Sequence, residues 1–591
     1  MIKKSLLLVA LLVSAAGSLQ AADMNKVLHV AYVAPENGFD PAKTTDLYSS
    51  GISENIFDTL VTYDYLARPL KLVPNVIEAM PEISADGKVY TFHLRKGIYF
   101  SDDPVFKGKK RELTADDVVY SMKRLADPKV NSPSAYLVTD NIEGLHDYAK
   151  SLGGKPFDYD KVLPGVRALD RYTAQVRITA PNSSFIYILG QIHIAMVARE
   201  VMEAYAENTM AHPVGTGPYM LKEWKPGNKI VLEANPNFRH FELTSDGSGQ
   251  GVDAEIASYL KGKALPLVGR IEVSIMEEEQ PRWLSFVNQQ LDLTSVPFSA
   301  VSRVLRPDPA HPGRSKLMAE WEKKGIRLQQ ELMPEITYYY FGMTDPVVGG
   351  YTKDRIALRR AIGMSLDRMR AIRDLRKGQA VPMQNVIPRN FPGNDPNFHG
   401  AWEYDPAMAN ALLDEAGYRI GADGFRTQPD GSPLEIEMAT SPTAVDRQWN
   451  EAWQEAFDKI RIRLRFKVAK WNELYKASTE GKLQLWGSAW TADYPGADNF
   501  LQLLYGPNSG QTNHTFFKND EYDELFRKSL LLPDGPERNA IYDRMNRIVV
   551  GLSPWIFGDV RVGNYLSNPY VRGYKQHPIL ITTWRYLDLQ K

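Results

Sequence analysis

A chain of 591 residues, 43% apolar and 24% charged, is long enough for several domains and too apolar to be disordered. A formal charge of −1 leaves no basic excess for nucleic acid. The absence of cysteine excludes disulfides, thiol nucleophiles, cysteine-based zinc sites and a lipid-attachment cysteine.

The first residues read as a secretory signal. Lys3 and Lys4 form a charged n-region, residues 5–16 are apolar, and Ala21 and Ala22 supply small residues for cleavage. About twelve apolar residues cannot cross a bilayer core that takes roughly twenty. Export is therefore expected, with residues 1–21 removed. The first strand is expected over 27–33, where apolar residues alternate, and a short helix over 52–60. Asp86-Gly87 marks a turn. After it Tyr90, Phe92 and Leu94 share one face of a strand, while Thr91, His93 and Arg95 share the other. Thr114 and Asp117 resemble a capping box. They open a helix whose apolar positions are Val118, Val119, Met122 and Leu125, and Pro128 stops it. The basic loop Lys107-Gly-Lys-Lys-Arg111 reads as solvated, with contact to an anionic ligand as its alternative.

A strand is expected over 172–179. Gly215 and Gly217 lack the third glycine and the Gly-Lys-Ser/Thr of a phosphate loop, so they predict a tight turn into a strand at Tyr219. Residues 243–251 read as a Gly/Ser-rich surface insertion. Further strands are expected over 229–233, 271–275, 291–297 and 336–343, with a helix over 282–289. One long helix is expected over 354–377, on the spacing of Ile362, Leu366, Met369 and Ile372. Asp405-Pro406 caps another helix. A strand over 434–439, a helix over 445–460 and a strand over 463–468 come next, then helices over 522–531 and 536–550. Alternation of strands and helices predicts an α/β protein.

The wording of several segments carries more. Gly38-Phe-Asp-Pro41, Ile56-Phe-Asp-Thr-Leu60, the run 89–97, the run 214–219 with Asn235-Pro-Asn-Phe238, and the runs 291–297, 338–365, 404–418 and 490–501 stand in one order. That order resembles family 5 of the extracellular solute-binding proteins, the peptide and nickel receptors of ABC importers. The resemblance runs over nearly the whole chain after residue 21. It implies a type II periplasmic-binding-protein fold, with two α/β lobes around a ligand cleft and an extra α/β domain in lobe one. The expected division is signal peptide 1–21, lobe one over 22–60, 199–296 and 559–591, the extra domain over 61–198, and lobe two over 297–558. The chain crossings between lobes are expected near 296–338 and 554–565.

The same resemblance implies function. The protein is expected to be a periplasmic, monomeric binding protein without cofactor or bound metal. It would deliver a ligand, a peptide first, to an inner-membrane ABC permease. A metal chelate, haem, an opine or an oligosaccharide is the alternative ligand; a chaperone or sensor receptor, or a hydrolase, is the alternative class. No Gly-x-Ser-x-Gly, His-Glu-x-x-His or nucleotide loop is present, so no enzyme is expected. Trp490-Thr-Ala-Asp493-Tyr494 is the implied site. In peptide-binding members an aspartate at this spacing takes the ligand's α-amino group. An aspartate capping the turn before Pro495 is the structural alternative. Asp46, Leu47 and Tyr48 match a segment that lines the cleft in relatives. Some peptide receptors carry an arginine three residues before the tryptophan; here the position is Gly487.

Overall fold

The computed structural model describes residues 22–591 apart from 45, 69, 140, 309, 311–313, 390, 401 and 470; the expected signal peptide lies outside the described residues. Among the described residues no helix is long and apolar enough to cross a membrane.

Strand Asp23–Tyr32 runs parallel to Val268–Ile275, which continues antiparallel through Lys229–Ala234 to Tyr219–Lys225. A second antiparallel sheet joins Glu82–Ile83, Val89–His93, Thr173–Arg177 and Val166–Ala168. Tyr90, Phe92 and Leu94 are buried there as their alternation demands, and His93 is exposed. Helix Ala115–Ala126 covers this sheet. The Asp117 carboxylate accepts from the Thr114 N–H at 2.8 Å, in the manner of a capping box. Both sheets share one continuous apolar core, in which Leu28 and Ile52 connect through Phe57 and Val61 to Phe92 and Met122.

The last turn of that helix is tied to the loop after the first strand. Arg124 grips Asp40 with two hydrogen bonds of 2.7 and 2.6 Å, both side chains being buried. Burial alone would raise the Asp40 carboxyl; the Arg124 guanidinium brings it below the ordinary carboxylate range. Gly215 and Gly217 cannot carry side chains, since a Cβ at either would run into the backbone of Asn55 and Ile56. The Gly217 N–H donates to Ile56 O at 2.8 Å, so the segment is a packed turn.

The remaining large sheet has the order Arg463–Val468, Glu435–Thr440, Leu485–Thr491, Glu335–Phe341, Trp555–Phe557. Glu435–Thr440 is parallel to both neighbours, and the other pairs are antiparallel. It carries an apolar core on each face, one around Tyr338, Tyr340 and Phe500, the other around Phe341, Leu358 and Trp453. Two strands lead into it side by side: Arg327–Leu332 pairs antiparallel with Asp559–Ser567, in register from Arg327 opposite Ser567 to Leu332 opposite Val562.

Three expectations need correction. The helix expected over 52–60 spans Leu47–Ile56, because Asp46 caps it through the Ser49 N–H at 2.7 Å. The long helix expected over 354–377 is two helices, Lys353–Ser365 and Arg368–Asp374. Leu366 turns extended between them and Asp367 caps the second. Val301, Val304 and Trp321, which an expected lobe two of 297–558 would include, pack in a core with Trp283, Phe286 and Leu291. That burial holds them with the strand and helix before them, away from the five-stranded sheet.

Helix Leu47–Ile56 also holds the C-terminal segment. Glu54 Oε2 accepts from the Ile581 and Thr582 N–H groups at 3.0 and 3.1 Å. Burial pushes the Glu54 carboxyl from 4.5 up to about 7, against the pull of those N–H groups and Arg585. A raised folded-state value means that the native protein binds the proton more tightly than the unfolded chain. The corresponding stability, about 3 kcal/mol at most, is present below pH 4.5 and lost as pH rises through about 7. Glu54→Gln keeps the acceptor oxygen and removes the charge. It is expected to raise stability at pH 8 by about 1–3 kcal/mol and to match the wild type near pH 4.5. Urea unfolding at both pH values checks this; an equal difference at the two would refute the assignment.

Candidate functional site

Parallel strands end where ligands collect in open α/β sheets. A cavity of about 1170 Å³ opens at the carboxyl end of Glu435–Thr440 and along Leu485–Thr491. Its lining residues all fall between positions 337 and 561, so it belongs to the five-stranded lobe. The wall carries the aromatic residues Tyr338, Tyr339, Trp449, Trp471, Tyr475, Trp486 and Trp490 among polar ones such as Thr440, Asn450, Ser488 and Gln511.

Of the expected site residues, Trp490 lines this cavity. Its indole N–H donates to Asn499 Oδ1 at 2.9 Å. The same oxygen accepts from the Asp493 backbone N–H at 3.1 Å, and Asn499 Nδ2 donates to Asp493 Oδ2 at 2.9 Å. One fully buried amide therefore sets the relation between Trp490 and Asp493. Asp493 does not itself line the cavity; the residue is exposed, while its carboxyl group lies partly against protein. The water it loses there raises its carboxyl above the ordinary range, and the Asn499 bond offsets only part of that. Among the described residues it has no ion-pair partner.

Tyr494 points away from the cavity. Its hydroxyl donates to Asp498 Oδ2 at 2.6 Å, and its ring stacks on Tyr187 at 5.8 Å and 10°. Tyr187 belongs to the segment 182–191, which leaves the four-stranded sheet and reaches the other lobe. Ser184 Oγ donates to Asp498 Oδ1 at 2.7 Å, and the Tyr187 hydroxyl to Asp534 Oδ2 at 3.1 Å. Gln191 Nε2 donates to the Asp493 carbonyl. A bridge of polar contacts thus spans the gap beside Asp493.

Asp46, Leu47 and Tyr48 do not line the cavity. They open a helix of the first lobe, where Asp46 is the cap, Leu47 is 60% exposed and the Tyr48 ring meets Tyr32 at 5.1 Å. The basic loop is likewise remote. Lys107, Lys109 and Lys110 are exposed, and Arg111 is committed to Asp117 and Glu200 at 2.6 Å each.

Gly487 has a local reason. It stands opposite Tyr339 on the neighbouring strand, and a Cβ there would come 2.8 Å from the Tyr339 ring. That ring is wedged edge-on against Trp453, at 4.7 Å. Sequence reasoning missed Asn499, whose amide nothing in the sequence distinguishes from a surface one. It also passed over Trp471 and Tyr475, although their spacing of four on one helix was a readable sign. Among the described residues no group of three or more His, Asp or Glu side chains is placed to hold a metal ion.

Residues 71–512 match the family model described as bacterial extracellular solute-binding proteins, family 5 Middle. Across 92% of its length the chain is 27% identical to heme-binding protein A of Haemophilus influenzae, covering 88% of that protein. It is 25% identical to the dipeptide-binding protein of Escherichia coli, over 94% of this chain and 92% of that one. The solved structure of HbpA2 from Haemophilus parasuis superposes with a TM-score of 0.74 at 22% identity, covering 96% of this chain and all of that one. At that identity the likeness bears on fold alone.

Asn499→Ala would leave the Trp490 and Asp493 N–H groups without an acceptor. The expected cost is about 1–3 kcal/mol in urea unfolding, the range for stranding buried polar groups. The Asp493 carboxyl should also rise further, because the bond that lowers it is gone. An unaltered midpoint would show that the amide holds nothing.

Proposed function

The chain belongs to family 5 of the bacterial extracellular solute-binding proteins, which bind substrates for ABC importers, and on that premise we propose that it captures a peptide by its α-amino group at Asp493. The unit that moves is the lobe built on the five-stranded sheet, turning on the paired strands Arg327–Leu332 and Asp559–Ser567. The protein works in the periplasm as a freely diffusing monomer, exported by residues 1–21, and hands its ligand to an inner-membrane permease. Asp46, Leu47 and Tyr48 would meet the ligand only when the lobes close.

One observation carries this reading. Asp493 presents a carboxylate without a cationic partner among the described residues, beside a large aromatic groove, and is held in place by a buried amide. A desolvated carboxylate gains most from a cation that closes the gap with it. The relatives whose names speak of dipeptides fit that chemistry. The relative named for haem fits the aromatic wall instead, and a non-peptide ligand is the second reading.

Asp493→Ala is expected to cost roughly 3–5 kcal/mol of peptide binding, and Asp493→Asn to recover part of it. N-acetylation of the peptide should reproduce the loss in the wild type and add little to the Ala variant, because both remove one contact. Since the contact needs the ionised carboxylate, affinity should fall as pH drops through the raised Asp493 value. Calorimetry reads all three effects. Equal affinity for free and acetylated peptides would sink the amine site and leave the non-peptide reading. Small-angle scattering should show a smaller radius of gyration with ligand, as closure requires.

A further inference from the structure

The groove beyond Trp490 has a chemistry of its own. Trp471 and Tyr475 stand on one face of helix Trp471–Thr479, stacked at 5.0 Å and 23°, and are 62% and 42% exposed. Two large rings on one exposed patch of a cleft are unusual unless something covers them. Tyr475 meets the His514 ring edge-on at 5.2 Å, and burial lowers the His514 value, which keeps that imidazole neutral. Trp449 and Tyr339 extend the wall, and Gly487 leaves the Tyr339 ring uncovered by any side chain of its own.

The charges in this wall are already engaged. Arg376 lies over Trp449 at 5.2 Å and pairs with Asp559 at 3.3 Å. Arg561 pairs with Glu335 through both Nε and Nη2. Glu335 and Asp559 are buried, so drawing either arginine toward a ligand would strand a buried carboxylate. Asp446 Oδ2 accepts from the Thr443 hydroxyl at the start of its helix. Among the described residues no lysine lines the cavity.

We propose that this groove is an aromatic side-chain subsite, and that the ligand is a short peptide bearing a large planar apolar residue, held without a clamp on its terminal carboxylate. The inference rests on the peptide reading above and deepens it. Offset stacking on Trp471 and Tyr475 supplies the preference. The engaged arginines supply the indifference to a free carboxylate.

Calorimetric titration with defined peptides tests it. Ala-Trp-Ala is expected to bind about tenfold or more tighter than Ala-Ala-Ala, and Ala-Glu-Ala no tighter than Ala-Ala-Ala. Amidating the C-terminus of Ala-Trp-Ala should change affinity by less than about threefold. Trp471→Ala, at an exposed position whose loss spares the core, should bring Ala-Trp-Ala to within about threefold of Ala-Ala-Ala while the penalty for N-acetylation persists. Trp471→Phe should restore part of the preference. Equal binding of Ala-Trp-Ala and Ala-Ala-Ala with an intact N-acetyl penalty overturns the subsite and leaves the amine site standing. A loss of about tenfold or more on amidation overturns the absence of a carboxylate clamp. No binding of any of these peptides overturns the peptide reading, and this inference with it.

Discussion

The molecule depends on a short backbone ladder. Arg327–Leu332 and Asp559–Ser567 are the strands that lead into and out of the five-stranded lobe, and they are hydrogen-bonded to each other. Two separate linkers would let that lobe wander. The ladder is reinforced at both ends, by Leu293–Ser295 against Tyr565–Ser567 and by Ala380–Pro382 against Asp559–Arg561, so it resists shear between its strands. The ribbon changes partners at Gly558, whose N–H donates to Thr337 O at 3.1 Å and where a Cβ would run into that same carbonyl. Beyond it Trp555–Phe557 joins the large sheet against Tyr338 to Tyr340. Among the described residues this paired strip is where the chain enters and leaves the five-stranded sheet.

On that frame the site is built from unequal materials. The end near Asp493 is polar and tightly referenced, with Asn499 bonding Trp490 and Asp493 at once. The far end is broad and aromatic, with rings on two helices and two strands. On the proposed reading a directional contact at Asp493 would fix where a ligand begins, and dispersion over flat rings would accept many shapes for the remainder of it. The family's diversity of named ligands is physically reasonable on such a plan.

Much of the frame was legible in the sequence, because it rests on local rules. The alternation of Tyr90, Phe92 and Leu94, the Thr114–Asp117 cap, the Asp405-Pro406 helix start and the strand Arg463–Val468 all arise from spacing and turn chemistry. The misses have two causes: the Asp46 and Asp367 caps were local signs passed over, and the rest were decided by partners far along the chain. Leu366 and Ile372 keep helical spacing across a break, and only Met369, 60% exposed, betrays it. Val301, Val304 and Trp321 go with Trp283 and Phe286 because those rings need a cover, which no window of sequence displays. In the site, Trp490 and Asp493 were readable through family wording. Asn499 and the Tyr339–Gly487 pair were not, since one needs a hydrogen-bond partner and the other a strand register.

The bridge formed by Ser184, Tyr187 and Gln191 spans the gap while the cavity is open. Part of the contact between lobes is therefore supplied by the chain's own side chains, beside the cavity and not through it. The orientational freedom that closure would otherwise have to remove is already reduced at that end. A ligand then has less disorder to overcome. Modest contacts suffice to hold the lobes shut, and their release need not work against a deep well, which suits a receptor whose task ends in letting go.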